Sequence, residues 1–168
     1  SITGPDPQNM VRAGIPIGDL GGGMFGVMGI LAALYEREGS GVGQHVDISM
    51  LDCQISMLNY MATMHFLSGE DPYPIGNSHF VHVPYNTFTC SDGCIVIAVI
   101  TDNFWANLKQ VVSCPEFDNA KYDTQPGRWQ DKELINNSLN RILSENTCRY
   151  WLTKLEARRI PCAPVNSL

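Results

Sequence analysis

Arg12-Ala-Gly-Ile-Pro-Ile-Gly-Asp19-Leu-Gly-Gly-Gly23 is the stretch on which the fold of this chain turns. After it come Met24, Phe25, Val27, Met28, Leu31, Leu34 and Tyr35, apolar side chains at helical spacing. Asp19 is therefore expected to cap a helix that stops at Glu36-Arg37-Glu38, with Gly39 just beyond. Two readings of Asp19 stand side by side. As an N-cap its carboxylate accepts a backbone N–H, worth about 1 kcal/mol. As a reactive group it has three residues without side chains beside it, leaving room for a substrate against the acid. Helix-start N–H groups can also steady an oxyanion. No cap requires three glycines after it.

The composition around this stretch is uneven. The chain has 168 residues, 17% of them charged, a net charge of −6 and 44% apolar content. That excludes disorder, and the acidic balance argues against a nucleic-acid partner. Eleven of fifteen glycines fall before residue 44, and only Arg12 and Arg37 of the eleven basic residues lie in the first 68 positions. Such a charge-poor segment is expected to be an interior piece of something larger. The domain boundary is placed in Gly69-Glu-Asp-Pro-Tyr-Pro-Ile-Gly76, giving 1–68, a linker 69–80 and a second domain 81–168. The uncharged run 20–35 spans about 24 Å as a helix, short of the roughly 30 Å of a bilayer core, so a buried helix rather than a membrane span is expected. Six scattered cysteines without a CxxC pair read as reduced thiols.

Further along, Val46, Ile48 and Met50 alternate and predict a strand; Asp52 to Phe66 predicts a second helix closed by Gly69. Val81–Thr89 and Cys94–Ile100 predict a hairpin turning at Ser91-Asp92-Gly93. Thr101 or Asp102 should cap a helix reaching Val112, with two more helices near 131–143 and 147–158. Ile160-Pro-Cys-Ala-Pro164 then breaks the pattern.

Two other motifs carry weaker chemistry. Gly21-Gly22-Gly23-Met24-Phe25-Gly26 satisfies GxGxxG with Asp47 some twenty residues on, but Ala13-Gly-Ile-Pro-Ile-Gly18 is a poor strand to precede a dinucleotide site. His79, His82, Cys90 and Cys94 are zinc-ligand types without a CxxC knuckle, so no metal is expected. Asp47 and Asp52 read as structural, the first in a strand and the second capping a helix.

The ordered set of motifs resembles the family III, formyl-CoA/carnitine-type, CoA-transferases. It comprises Arg12 to Gly23, Gly29-Ile-Leu-Ala-Ala-Leu34, Gly41-Val-Gly-Gln44, Val46-Asp-Ile-Ser-Met-Leu-Asp52, Gly76-Asn-Ser-His79, Val83-Pro-Tyr85, Phe88 and Asp92-Gly93. The region of Trp105, Lys121-Tyr122, Arg128, Trp151 and Ile160-Pro-Cys-Ala-Pro164 continues it over nearly the whole chain. The resemblance implies an α/β fold: part of a Rossmann-like large domain (helix, turn, strand, helix) and a small α+β domain with an antiparallel hairpin, in an interlocked-dimer family. It implies transfer of coenzyme A between a thioester and a small carboxylic acid through a covalent intermediate on Asp19. Gly21, Gly22 and Gly23 would supply close-approach or oxyanion-binding backbone, and Gly76 and His79 match a loop near the active site in some members. No tightly bound cofactor is implied; the coenzyme A thioester is a substrate. The upstream Rossmann-like half and the C-terminal return segment have no counterpart here. The expected partners are acyl-CoA and a carboxylic acid, with a homodimer in the full-length form, no nucleic acid and no membrane. The expected compartment is cytoplasmic, with the mitochondrial matrix equally compatible.

Two alternatives belong beside this. In the α-methylacyl-CoA racemase branch the same aspartate would be a proton-transfer group, and Asp19-Leu-Gly-Gly-Gly23 taken alone leans that way. Arg12-x-Gly-x-Pro16 and Gly76-x-x-His79 followed by Val83-Pro-Tyr85 favour transfer. The other alternative is a non-catalytic interaction module that keeps only the fold.

Overall fold

The computed structural model describes residues 2–168, and the chain divides into two compact units, Ser1–Pro74 and Ile75–Leu168. In the first unit, α1 spans Ile17–Ser40, α2 Met50–Met57 and α3 Tyr60–Ser68. α1 starts earlier than its sequence suggests. Pro16, at φ −74°, is the N-cap residue and has no N–H to place, so the helix opens at Ile17 and Asp19 falls in its first turn. Asp19 is thus not the cap; its charge lies where the helix dipole favours an anion. At the other end the helix runs through Gly39. The Ser40 hydroxyl bonds back to the Glu36 carbonyl (3.2 Å) and carboxylate (2.8 Å), and Gly41, at φ +73°, donates its N–H to the Arg37 carbonyl at 2.8 Å.

The strand expected over 46–50 does not form. Residues 41–49 carry no ladder, and the described residues of this unit offer no partner strand. The alternation is used differently: a Cβ at Gly29 would lie 2.8 Å from Val46 Cγ1 and one at Gly26 4.0 Å from Ile48 Cγ1, so this segment packs on the glycine side of α1. The predicted helix 52–66 is two helices. Ser49, not Asp52, caps α2 by accepting the Asp52 N–H at 3.2 Å, and the chain breaks at Asn59 (φ +51°, ψ −123°), a residue type that tolerates positive φ. Gly69 closes α3, as expected.

α1 is 24 residues long, and by length and composition it is the described helix that could cross a membrane. The helix is also not buried as expected: Gly21 is its one buried residue, and Leu20, Met24, Val27, Met28 and Leu31 are exposed. Its apolar part is still that run, closed by Asp19 and by Glu36-Arg37-Glu38.

The second unit is built on a sheet of β1 (Tyr85–Cys90), β2 (Gly93–Ala98) and β3 (Cys162–Pro164), antiparallel in the order β1-β2-β3. Cys90 pairs with Gly93, making Ser91-Asp92 the hairpin turn. β1 begins later than predicted, after Pro84. β3 forms where the sequence pattern predicts a break, at Cys162–Pro164. Pro164 is tolerated because β3 lies on the sheet's edge and residue 164 turns its nitrogen away from β2, while Pro161 stands just before the strand and contributes only its carbonyl, which accepts the Ala98 N–H at 2.9 Å.

Four helices surround the sheet: α4 (Asp102–Val112), α5 (Gln125–Gln130), α6 (Lys132–Leu143) and α7 (Cys148–Ala157). Thr101 caps α4, accepting from the Phe104 N–H at 3.3 Å, and Thr147 caps α7, accepting from Tyr150 at 3.3 Å. Phe88, Ile95, Ile97, Val99, Trp105, Leu108, Phe117, Ile135, Leu139, Leu143 and Leu155 are fully buried. Each such side chain contributes about 1.5–3 kcal/mol. The turn is tied to α7: the Ser91 N–H donates to the Asn146 carbonyl (3.0 Å) and the Asp92 carboxylate accepts the Cys148 N–H (2.7 Å). That bond, and a second from the Cys148 thiol, hold the Asp92 carboxyl below its usual pKa.

α5 has no counterpart among the elements expected from sequence; it is one short helix carrying Pro126 and Gly127. Pro126 sits in the first turn, where its missing N–H is harmless. Gly127 is required by proximity: a Cβ there would lie 1.7 Å from the Lys121 carbonyl oxygen. Gly127→Ala is therefore expected to lower the urea midpoint of the chain, at a cost of about 3 kcal/mol, the upper end for overpacking.

At the centre of this region is Arg128, fully buried. Its Nε donates to the Val83 carbonyl (2.8 Å), one terminal nitrogen to the Tyr122 carbonyl (2.7 Å), and the other to Asp102 Oδ1 (2.7 Å) and Gln125 Oε1 (2.7 Å). The guanidinium carbon stands 5.3 Å from the centre of the Trp105 ring.

Candidate functional site

In the first unit the N-terminal turn of α1 and the facing turns of α2 border an open depression of about 1180 Å³. Arg12 and Asp19 are the two charged residues lining it, with polar groups from Gln54 and Asn59 and apolar walls from Ile15 and Leu51. Asp19 is exposed at its rim. Gln54 leans over Gly18, where a Cβ would lie 3.1 Å from its Nε2. Helix geometry leaves the first four N–H groups without intrahelical partners. Here the Ile17 N–H donates to the Ile15 carbonyl (2.8 Å) and the Leu20 N–H to the Pro16 carbonyl (3.0 Å), which leaves the Gly18 and Asp19 N–H groups without an acceptor among the described residues.

This changes the part the glycines play. Gly21, Gly22 and Gly23 lie beyond the first turn, where N–H groups are taken up by the helix's own ladder. Gly21 and Gly22 admit side chains of α2 instead: added Cβ atoms would lie 2.7 Å from Met57 Cε and 3.0 Å from Met50 Cγ. Gly23 meets nothing within 4 Å among the described residues. The donors that sequence reasoning missed are Gly18 and Asp19 themselves; Pro16, which cannot sit inside a helix, was the signal for an earlier start.

Gly76 and His79 lie in a loop of the second unit. Gly76 takes φ +65°, and the Ser78 N–H donates to the Ile75 carbonyl at 3.3 Å. The His79 Nδ1 accepts N–H bonds from Val81 (2.9 Å) and His82 (3.2 Å), so the proton of the neutral ring is on Nε2. Its ring stacks on Tyr85 (centroids 5.0 Å apart, 19° between planes) and lies 4.7 Å from that of His82. Burial, and secondarily the neighbouring His82, push the His79 pKa below its ordinary 6.5.

The unfolded chain therefore binds this proton at a higher pH than the fold does. Stability owed to the neutral ring is complete above pH 6.5 and is lost as pH falls from there through the folded value. Urea midpoints of the chain are expected to decline as the pH falls below 6.5, and His79→Phe should flatten that slope. An unchanged slope in the variant would assign the acid sensitivity elsewhere.

Cys90 is buried and its thiol is pushed up to about 12, first by desolvation and then by the Cys148 thiol. All six cysteines are free, and no three His, Cys, Asp or Glu side chains gather as a metal centre among the described residues.

The profile of CoA-transferase family III matches residues 1–168. Among similar proteins, succinyl-CoA:glutarate CoA-transferase of Mus musculus is 31% identical over 99% of this chain and 38% of its own length. Succinyl-CoA:mesaconate CoA-transferase of Haloarcula hispanica is 32% identical over 99% of this chain and 41% of its own. Acetyl-CoA:oxalate CoA-transferase of Acetobacter aceti is 29% identical over 96% of this chain and 42% of its own. The chain thus spans about two-fifths of the length of these relatives. The crystal structure of a CAIB/BAIF family protein from Brucella suis superposes with a TM-score of 0.84 at 26% identity, over 99% of this chain and 44% of that one.

Proposed function

Because the chain belongs to CoA-transferase family III, we propose that the polypeptide carrying it moves coenzyme A between an acyl thioester and a free carboxylic acid, with Asp19 as the attacking group. One observation supports this above the rest: an exposed carboxylate in the first turn of α1, on an open depression, beside the Gly18 and Asp19 N–H groups, which have no acceptor among the described residues.

In this reading an Asp19 carboxylate oxygen bonds to the thioester carbonyl carbon and the carbon–sulfur bond breaks, giving a mixed anhydride and coenzyme A thiolate. The thiolate attacks the Asp19 carbonyl carbon and releases the donor acid, leaving an aspartyl thioester. The acceptor carboxylate attacks that thioester, again expelling thiolate, which finally takes the acceptor's acyl group and frees Asp19. Each addition places negative charge on an oxygen, and N–H groups fixed at a helix start stabilise it without reorganising. Relatives are named for glutarate, mesaconate and oxalate, and a short dicarboxylic acid is the acceptor proposed here.

Ser1–Pro74 is then a part of the large domain, and Ile75–Leu168 the small one. The Rossmann-like remainder supplies most coenzyme A contacts in an interlocked cytoplasmic homodimer. Exposed Leu20, Met24, Val27, Met28 and Leu31 on α1 are apolar surface of the kind such a remainder covers.

The test is mass spectrometry on the natural full-length polypeptide incubated with an α-branched acyl-CoA in D₂O. An adduct mapped to Asp19, with no deuterium in the recovered thioester, is the expected result. Deuterium at the α-carbon on an unmodified protein would overturn it in favour of racemisation.

A further inference from the structure

We propose that Arg12 selects the acceptor by pairing with the second carboxylate of a dicarboxylic acid whose first carboxylate reacts at Asp19. The inference rests on the transfer reading above and adds to it a residue that decides which acid is taken. Arg12 lines the same depression as Asp19. Its side chain is exposed and makes no ion pair or hydrogen bond among the described residues, although arginine's planar fork is suited to holding a carboxylate in two bonds.

The charge balance gives this guanidinium a task. Residues 1–74 carry eight carboxylates, no lysine and only two arginines. The other arginine, Arg37, is at the far end of α1, roughly 27 Å from Asp19 at about 1.5 Å per residue. Arg12 is therefore the one cationic side chain that lines the depression where a dianion would approach Asp19, among the described residues. A monocarboxylate brings one charge, which is consumed at the reacting centre, and leaves Arg12 unused. A dicarboxylate leaves a second charge to be matched within the depression.

The experiment measures transfer by the natural full-length polypeptide to glutarate and to butyrate, at saturating acyl-CoA, for the wild type, Arg12→Gln and Arg12→Lys. The ratio of kcat/KM for glutarate to that for butyrate is expected to fall about 100-fold in Arg12→Gln, through KM for glutarate, with Arg12→Lys recovering part of it. The KM for the acyl-CoA donor should stay within about twofold. A ratio unchanged in Arg12→Gln, or a loss confined to the acyl-CoA KM, would overturn the assignment, the latter by placing Arg12 on coenzyme A phosphate. Failure of the underlying reading has a different signature: wild-type protein that transfers to neither acid and forms no Asp19 adduct.

Discussion

Asp19→Asn is expected to lower coenzyme A transfer by about 10⁴-fold or more, the scale of losing an attacking group, while the chain keeps its fold. The amide is nearly isosteric and lacks the charged oxygen that opens the thioester. The structural cost is small because of where the residue lies. Asp19 is in the first turn and is not its cap, so the helix loses only the interaction of a carboxylate with the dipole, about 0.3–1 kcal/mol. A thermal midpoint close to wild type alongside the collapsed rate, and no acyl or coenzyme A adduct in the mass spectrum, would complete the result. Transfer surviving in a rigorously purified Asn variant would remove Asp19 from the covalent step.

The second large effect concerns stability. Arg128→Ala is expected to cost about 3–5 kcal/mol, the range for removing one member of a buried charged network. Arg128 is 0% exposed and serves two main-chain carbonyls, Val83 and Tyr122, that would be left without donors. Asp102 has a side chain 58% exposed, so its ion pair with Arg128 is well screened, and Asp102→Ala should cost less than about 1 kcal/mol. Arg128→Lys should behave like the alanine variant, because a point charge cannot reach acceptors spread around the guanidinium plane. Urea titrations of the three variants give the order; equal losses for Asp102→Ala and Arg128→Ala would show that the ion pair, and not the carbonyls, carries the energy.

The parts of this fold that were readable from sequence are those whose information is local. α4, α6 and α7 were legible because their apolar residues repeat at helical spacing onto one core, and Thr101 announces the start of α4. The hairpin was legible because Asp92-Gly93 sits between alternating runs. What escaped depends on distant partners. Val46 and Ile48 alternate as a strand does, yet they meet a helix whose glycines give them room, and a strand needs a neighbour to bond. Pro161 and Pro164 forbid a central strand but not an edge one, and only the position of β2 decides between them. Asn59 breaks a helix with neither glycine nor proline to announce it. At the site, the Asp19 motif stood out, whereas the placing of the Gly18 and Asp19 amides depends on Pro16 having moved the helix start upstream. Arg12 was visible only as a member of a motif; that it lines the same depression as Asp19 and residues of α2 is a fact of the folded chain.

The edge strand has a consequence for how the second unit is made. β2 is held on one side by β1, its neighbour in sequence, and on the other by β3, which arrives only after four helices have been laid down. During synthesis the hairpin therefore spends its early life with an open row of amides and carbonyls along β2, the kind of edge that recruits strands from other chains. Pairing across so long a loop is slow, because its closure entropy must be met before the bonds form. Nascent chains stalled before Cys162 should therefore bind chaperones and aggregate, and release past Pro164 should end both.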